Sequence, residues 1–244
     1  MRALAAVTFL ALGACGTDTD TDTGNELSYV ASDQKFNWKL VTSWPPNLPV
    51  IHEVVEKFAR DVGTMTRGQI TIQVYAGGEL IPALEVFDAV ANGTTVQMGH
   101  SAAYYWAGKV PAAQYMSAVP FGLGSRGMTA WLHGGDGLKL WRELYAPFDL
   151  VPIPMGNTGT QMGGWFNKRV DSAADLVGLK MRIPGLGGKV LANAGGKPIL
   201  LSGGEVYTAL ERGTIDVTER VGPLHDVRFG LDRAAQYYYY PGWQ

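Results

Sequence analysis

The first third of the chain alternates between strand-like and helix-like hydrophobic patterns. Apolar side chains recur at every second position in Phe36–Thr42 and in 70–74, which predicts two strands. An apolar stripe at helical spacing lies between them and comprises Ile51, Val54, Val55, Phe58 and Val62. We expect Asn47 to cap this helix. A helix at 82–92 and a strand at 95–99 complete an order that predicts crossover connections and a largely parallel sheet.

The middle of the chain has a weaker pattern. An aromatic loop is predicted at 100–111, and the glycine-rich stretch 120–137 is predicted to be irregular. A helix follows at 138–145, and two further strands are predicted at 162–167 and 179–183. The α/β character therefore continues into the second half of the sequence.

Residues 205–226 contain a clear helix followed by a strand. Ser202 and Glu205 stand in the S-x-x-E relation of a capping box. Gly213 occupies the position of a C-terminal glycine cap, and 215–218 alternates as a strand does.

The charged pair Glu219 and Arg220 follows this strand directly. The carboxyl ends of strands in α/β proteins are common ligand-binding positions, so the pair is a candidate site. The alternative is an ordinary surface pair in a loop.

Residues 86–100 and 206–220 have similar sequences, VFDAVANGTTVQMGH and VYTALERGTIDVTER. Each reads as a helix, a Gly-Thr pair and a strand, which favours two similar α/β lobes with a ligand cleft between them. We place lobe 1 at 36–155 and lobe 2 at 156–236. Residues 237–244 begin a return to lobe 1 or form a hinge strand.

The N-terminus has the features of an export signal. Residues 1–15 contain Arg2, a short apolar run and Leu-Gly-Ala-Cys, which resembles a lipobox with Cys15 as the lipidated residue. Plain signal cleavage beside an incidental cysteine is the alternative. Residues 16–35 are polar and of low complexity, so we expect a flexible tether. These features predict a periplasmic protein that contacts the membrane only through a lipid anchor.

Composition excludes several function classes. The net charge is -2 with no basic tract, which argues against a nucleic-acid partner. The sequence has no GxSxG, HExxH or P-loop motif, and its four histidines lack metal-ligand spacing. The single cysteine excludes an intrachain disulfide.

Several polar residues in the second half and in the aromatic loop are candidates for ligand binding. Arg182 ends a predicted strand, where it can bind a carboxylate with two hydrogen bonds or form a structural salt bridge. Gln161 can offer a neutral oxygen to a hard cation, and Glu219 can offer a charged one. Taken alone, Gln161 is better explained by a hydrogen bond within a loop. Tyr104 and Tyr105 supply hydroxyls and an apolar wall, or simply pack one lobe.

Three blocks carry a resemblance to a known family: LKMRIPGLGGKVLANAG, SGGEVYTALERGTIDVTERVGP and YYYYPGWQ. They resemble the extracytoplasmic solute-binding proteins of TRAP transporters, in particular those that bind 2-oxoacids and related monocarboxylates with a metal ion. The resemblance implies a two-lobed periplasmic-binding-protein-like α/β fold without enzymatic activity. It also implies a small organic acid as ligand and the TRAP transporter membrane subunits as partners.

The resemblance also implies roles for individual residues. Arg182 would bind the substrate carboxylate, and Tyr104 or Tyr105 would line the pocket, with a contribution from Gln244. The metal ligands would be Gln161, Glu219 and the backbone carbonyl of Arg220, with Na⁺ favoured and Ca²⁺ as the second choice.

Two features depart from the family pattern. The subgroup commonly has Trp after the glutamate, whereas this chain has Arg220. Its side chain would weaken metal binding, bind a second ligand charge or point to solvent. Family members are also longer, so we expect that the sequence lacks a C-terminal part.

Two other functions remain open at this stage. One alternative is a sensor-associated binding protein without a transporter. The other is a secreted hydrolase or lyase that uses Glu219 as a base. The second alternative needs a partner acid or nucleophile, and the sequence names none.

Overall fold

The first β-sheet has three parallel strands in the order β2-β1-β3. The structure is a computed structural model and describes residues 34–244. The strands are β1 (Phe36–Thr42), β2 (Ile70–Tyr75) and β3 (Met98–His100). Leu40 of the central strand is in register with Val74 on one side and Met98 on the other. The predicted parallel sheet is therefore confirmed for this half of the chain.

Two crossover helices connect these strands, α1 (Ile51–Met65) and α2 (Val86–Asn92). Val55 of α1 is fully buried, and it packs in one apolar cluster with strand residues of the sheet. The predicted cap of α1 is wrong. The helix begins after Val50, whose backbone N–H donates to the Glu53 carboxylate, while Asn47 lies in the preceding loop with a φ of 58°.

The second sheet has five strands in the order β6-β5-β7-β4-β8. They are β4 (Gly164–Phe166), β5 (Lys180–Arg182), β6 (Lys197–Ile199), β7 (Val217–Thr218) and β8 (Tyr237–Tyr239). Strand β5 is parallel to β6 and β7, whereas β4 is antiparallel to both of its neighbours. The second sheet is therefore mixed, with its antiparallel pairs on the β4–β8 side.

Six further α-helices lie in the described residues. They are α3 (Ser125–Gly134), α4 (Gly137–Tyr145), α5 (Gly185–Asn193), α6 (Val206–Glu211), α7 (Pro223–Arg228) and α8 (Leu231–Ala234). Short 3₁₀ helices occur at Ala103–Trp106, Pro111–Met116, Ala146–Phe148 and Ala173–Leu176. The prediction that 120–137 is irregular is wrong for α3. This helix forms there because Met128 and Leu132, at an i, i+4 spacing, bury one apolar face.

The helix at 206–211 begins later than the capping box suggested. The Glu205 carboxylate accepts hydrogen bonds from the backbone N–H and the hydroxyl of Ser202, so Ser202 does not cap the helix through its side chain. The glycine stop is confirmed, because Gly213 follows the helix with a φ of 69°.

The predicted signal, the lipobox at Cys15 and most of the tether lie outside the described residues. Residues 34–244 form one compact unit, and the lobe boundaries at 155 and 236 stay predictions. No helix within this described range is long and apolar enough to cross a membrane.

Candidate functional site

A cavity of about 830 Å³ brings together residues that the sequence placed at strand ends in both halves of the chain. His100 ends β3 and Arg182 ends β5, while Arg220 follows β7 after one intervening residue. Gln161 and Gln244 also line this cavity. His100 and Arg220, the last residues of the two similar segments, therefore line the same cavity.

Arg182 is anchored at the end of the second sheet by its own neighbours. Its side chain is 2% exposed. Nη2 donates to the Tyr105 hydroxyl at 3.1 Å, and Nε donates to the Leu201 carbonyl at 3.2 Å. The guanidinium is therefore held in one orientation at the cavity wall.

The parallel register places Glu219 beside Arg182. Arg182 pairs with Thr218 across β5 and β7, and the Glu219 N–H donates to the Arg182 carbonyl at 3.0 Å. Arg182 Nη1 lies 3.3 Å from the Glu219 carbonyl and 3.5 Å from carboxylate oxygen Oε2. The two side chains thus form a long ion pair that is buried on both sides.

Burial dominates the acidity of Glu219. It raises the pKa of the carboxyl to about 7, even though the positive charges of Arg182 and Arg220 act in the opposite direction. Near neutral pH the carboxyl is consequently close to its midpoint, and a cation that binds the ionised form competes with a proton.

One terminal atom of the Gln161 amide points at two oxygens, one from a backbone carbonyl and one from a carboxylate. That atom lies 3.2 Å from the Arg220 carbonyl oxygen and also contacts the Glu219 carboxylate. The other terminal atom lies 3.1 Å from the Thr158 hydroxyl. An amide NH₂ turned inward would donate to both oxygens, whereas an amide oxygen turned inward would create a group of three oxygens that needs a cation.

This donor set fits a hard cation. One amide oxygen, one carboxylate and one backbone carbonyl are the ligand types that Na⁺ and Ca²⁺ accept. Residues 34–244 contain no cluster of three or more His, Cys, Asp or Glu side chains that could bind a metal instead. The predicted ligands Gln161, Glu219 and the Arg220 carbonyl are therefore close enough together to act as a set.

Trp243 and Gln244 form hydrogen bonds with the backbone of Gln161. The Gln161 N–H donates to the Gln244 carbonyl at 2.7 Å, and the Trp243 N–H donates to the Gln161 carbonyl at 3.0 Å. The side-chain oxygen of Gln244 packs against Gly187, where any Cβ would collide with it. Gln244 thus lines the cavity, and the contribution to ligand binding that the family resemblance implies stays a prediction.

The two tyrosines of the aromatic loop have different positions. Tyr105 is buried and accepts the hydrogen bond from Arg182, whereas Tyr104 is half-buried and lines the cavity. Their rings are in edge-to-face contact with centroids 4.8 Å apart. Burial, followed by the effect of Tyr105, raises the pKa of Tyr104 well above its usual value, so its hydroxyl keeps its proton.

Arg220 points inward, so of its three alternative roles the one with a side chain in solvent is wrong. The residue is 3% exposed, and its guanidinium carbon lies 3.9 Å from the centroid of the Phe229 ring. Burial and the neighbouring charge of Arg182 lower the pKa of Arg220.

Sequence reasoning missed the residues that hold the loop after β7. The Asp226 carboxylate accepts from the Gly222 N–H at 3.2 Å and from the Trp165 indole N–H at 3.0 Å. This links the loop to β4. An acidic residue in the first turn after Gly-Pro was an available helix-start signal, whereas nothing in the sequence marked Thr158 as a partner of Gln161.

The fold and the cavity agree with the class of protein that the family comparison gives. The chain belongs to the family described as bacterial extracellular solute-binding protein, family 7, whose model matches residues 40–243. This membership confirms the family that the sequence blocks resemble.

Three relatives are similar to this chain over most of its length. The monocarboxylate 2-oxoacid-binding periplasmic protein of Nostoc sp. strain PCC 7120 is 48% identical over 219 residues, which is 90% of this chain and 60% of the relative. A TRAP periplasmic solute-binding protein from Pseudoalteromonas atlantica T6c, solved with bound sodium and pyruvate, is 44% identical with a TM-score of 0.83. A similar protein from Colwellia psychrerythraea, solved with calcium and pyruvate, is 45% identical with a TM-score of 0.82.

The likeness to both solved proteins covers 86% of this chain and 64% of theirs. The chain thus spans less than two thirds of the relatives that it matches. Their structures confirm the predicted α/β fold of the periplasmic-binding-protein type.

Proposed function

We propose that the chain is the solute-binding component of a TRAP transporter and binds a small 2-oxo or 2-hydroxy monocarboxylate together with a cation. The observation that carries the proposal is the adjacency of the Arg182 guanidinium to the oxygen group of Gln161, Glu219 and the Arg220 carbonyl. The pyruvate complexes of two relatives, one with sodium and one with calcium, support it.

Arg182 provides the positive charge for the ligand carboxylate. Its guanidinium is already oriented by the Tyr105 hydroxyl and the Leu201 carbonyl, so little conformational freedom is lost on binding. Burial away from water strengthens each charged contact that it makes.

Glu219 would repel an anionic ligand without compensation. A bound cation, Na⁺ by preference or Ca²⁺, supplies positive charge that neutralises Glu219 and attracts the carboxylate and keto oxygens of the ligand. Gln161 turns its amide oxygen inward to bind the cation, and its NH₂ then faces Thr158. The Arg220 carbonyl completes the protein's contribution.

The remaining predicted residues shape the pocket. Tyr104 forms part of the cavity wall, and its protonated hydroxyl can donate to an anion. Gln244 lines the same cavity. Both assignments as substrate-binding residues are part of the proposal.

Binding without turnover, followed by delivery to the transporter's membrane subunits, is the proposed activity. The family and the named relatives are binding proteins, which supports this choice over a hydrolase or lyase. We also propose that the protein is exported to the periplasm and retained at the membrane by a lipid on Cys15.

Thermal unfolding with a panel of 2-oxoacids tests the proposal. A ligand at 100 times its Kd stabilises the folded state by about 2.7 kcal/mol, which corresponds to a Tm increase of about 2–4 °C at this chain length. Pyruvate should give this increase in the presence of Na⁺ or Ca²⁺ and less after metal depletion. No increase with any member of the panel under either condition would refute the proposal.

A further inference from the structure

Arg220 is a buried cation with incomplete hydrogen bonding. Its Nε and Nη2 atoms are inaccessible to water and have no hydrogen-bond partner within residues 34–244. Buried polar groups are nearly always paired in folded proteins, and a charged group is the most costly to leave unpaired. Nη1 is not among these fully covered atoms and forms no hydrogen bond with the described residues, so it is the nitrogen left to bind a partner that is not part of this chain.

The surroundings of Arg220 make room for its guanidinium without neutralising it. The Phe229 ring covers one face, 3.9 Å from the guanidinium carbon. Gly203 lies at the tip, where a Cβ would come within 2.6 Å of Nη2. Any side chain at position 203 would displace the guanidinium, so glycine is needed for this orientation.

Arg220 has no direct ion-pair partner among the described residues. Among the described residues, the buried ion pair of the site joins Glu219 to Arg182, and no carboxylate lies within 4.0 Å of Arg220. The nearby Asp226 uses its two oxygens for the Gly222 N–H and the Trp165 indole. No carboxylate of the described residues therefore pairs directly with the Arg220 guanidinium.

We propose that the Arg220 side chain is a second anion-binding group, which binds the distal carboxylate of a 2-oxo dicarboxylate whose 2-oxoacid end lies at Arg182. This rests on the proposed function, since it takes the 2-oxoacid end to be bound there, and it specifies the substrate class of the same site. The cavity of about 830 Å³, which Arg182 and Arg220 both line, has room for a ligand longer than pyruvate. The carbonyl of Arg220 remains available to the cation, because backbone and side chain act separately.

Calorimetric titration with a matched pair of ligands tests the inference. The pair is 2-oxoglutarate and 2-oxopentanoate, which have the same carbon chain and differ in a distal carboxylate or methyl group. In a Ca²⁺ buffer the wild-type chain should bind 2-oxoglutarate about tenfold to hundredfold more tightly, as expected for one charged hydrogen-bonded contact.

Two variants identify the group responsible. Arg220→Met should reduce the affinity ratio of the two ligands to about one, whereas Arg220→Lys, which keeps the charge, should retain part of the preference. The ratio within one variant is the readout, so any loss of cation or 2-oxoacid binding common to both ligands cancels.

The outcomes separate this inference from the proposed function. Binding of pyruvate without a wild-type preference for 2-oxoglutarate, or a preference that Arg220→Met leaves unchanged, overturns the role of Arg220 alone. Failure of the wild-type chain to bind any 2-oxoacid overturns both. If Arg220→Met does not fold, the wild-type ratio and the Lys variant decide, and a ratio below about threefold counts against the inference.

Discussion

Replacing Arg182 by Met removes the cation that pairs with buried Glu219. The substitution keeps a long unbranched side chain but deletes the hydrogen bonds to the Tyr105 hydroxyl and the Leu201 carbonyl. It also leaves the Glu219 carboxyl, which is fully buried, without its nearest positive charge. We therefore expect a loss of stability in addition to the loss of ligand binding.

The magnitude follows from the buried pair. Removing one partner of a buried ion pair typically costs about 3–5 kcal/mol, because the other charge stays buried and unpaired. Glu219 can escape part of this cost by taking up a proton, since its pKa is already about 7. The expected loss is thus about 3 kcal/mol or more at pH 8, where the carboxyl is ionised, and smaller at pH 6.

Urea unfolding monitored by tryptophan fluorescence measures this loss, and the chain has seven tryptophans. The matched control is the double variant Arg182→Met with Glu219→Gln, which removes both charges. It should be more stable at pH 8 than the single variant by about 1–3 kcal/mol, as for coupled neighbours. A single variant within about 0.5 kcal/mol of wild type, or strictly additive effects in the double variant, would refute the proposed pairing.

Three other predictions follow from the site and the N-terminus. Ca²⁺ affinity should rise roughly tenfold from pH 6 to pH 8, because the Glu219 carboxyl, with a pKa of about 7, ionises over this range. Calorimetry of Glu219→Gln should show no such pH dependence. If the Ca²⁺ affinity of the variant changes with pH as that of the wild type does, Glu219 is not the source. Tyr105→Phe should lower stability by about 0.5–1.5 kcal/mol in urea unfolding and weaken pyruvate binding, because Arg182 loses its orienting hydroxyl; unaltered binding would show that this contact does not position Arg182. Cys15→Ser should release the protein from the membrane fraction of an expressing bacterium, and retention of the variant there would contradict a lipid anchor on this residue.

Much of the fold could be predicted from local pattern alone. The strand–helix–strand order of the first sheet follows from periodicity, since each element there has a regular apolar face. The antiparallel side of the second sheet was missed, because β8 (Tyr237–Tyr239) returns over a long sequence distance to pair with β4 (Gly164–Phe166). Such pairing depends on tertiary contacts that a single-sequence pattern does not contain.

The candidate site was predictable to a similar extent. Arg182 and Glu219 stand at strand ends, and strand ends in α/β folds can be inferred from sequence. The metal-ligand role assigned to Gln161 came from the family resemblance and depends on the geometry with Thr158. The burial of Arg220 was unpredictable, because it is produced by residues that are not adjacent to it in sequence.

Calorimetric titration of pyruvate into the metal-depleted chain, then into the same chain with Na⁺ or Ca²⁺, tests the central claim most directly. We predict strong cation-dependent binding that Arg182→Met and Gln161→Ala each weaken, since one variant removes the carboxylate partner and the other removes a cation ligand. Pyruvate binding of equal strength with and without cation, and in both variants, would contradict the assignment of this cavity as a cation-assisted 2-oxoacid site.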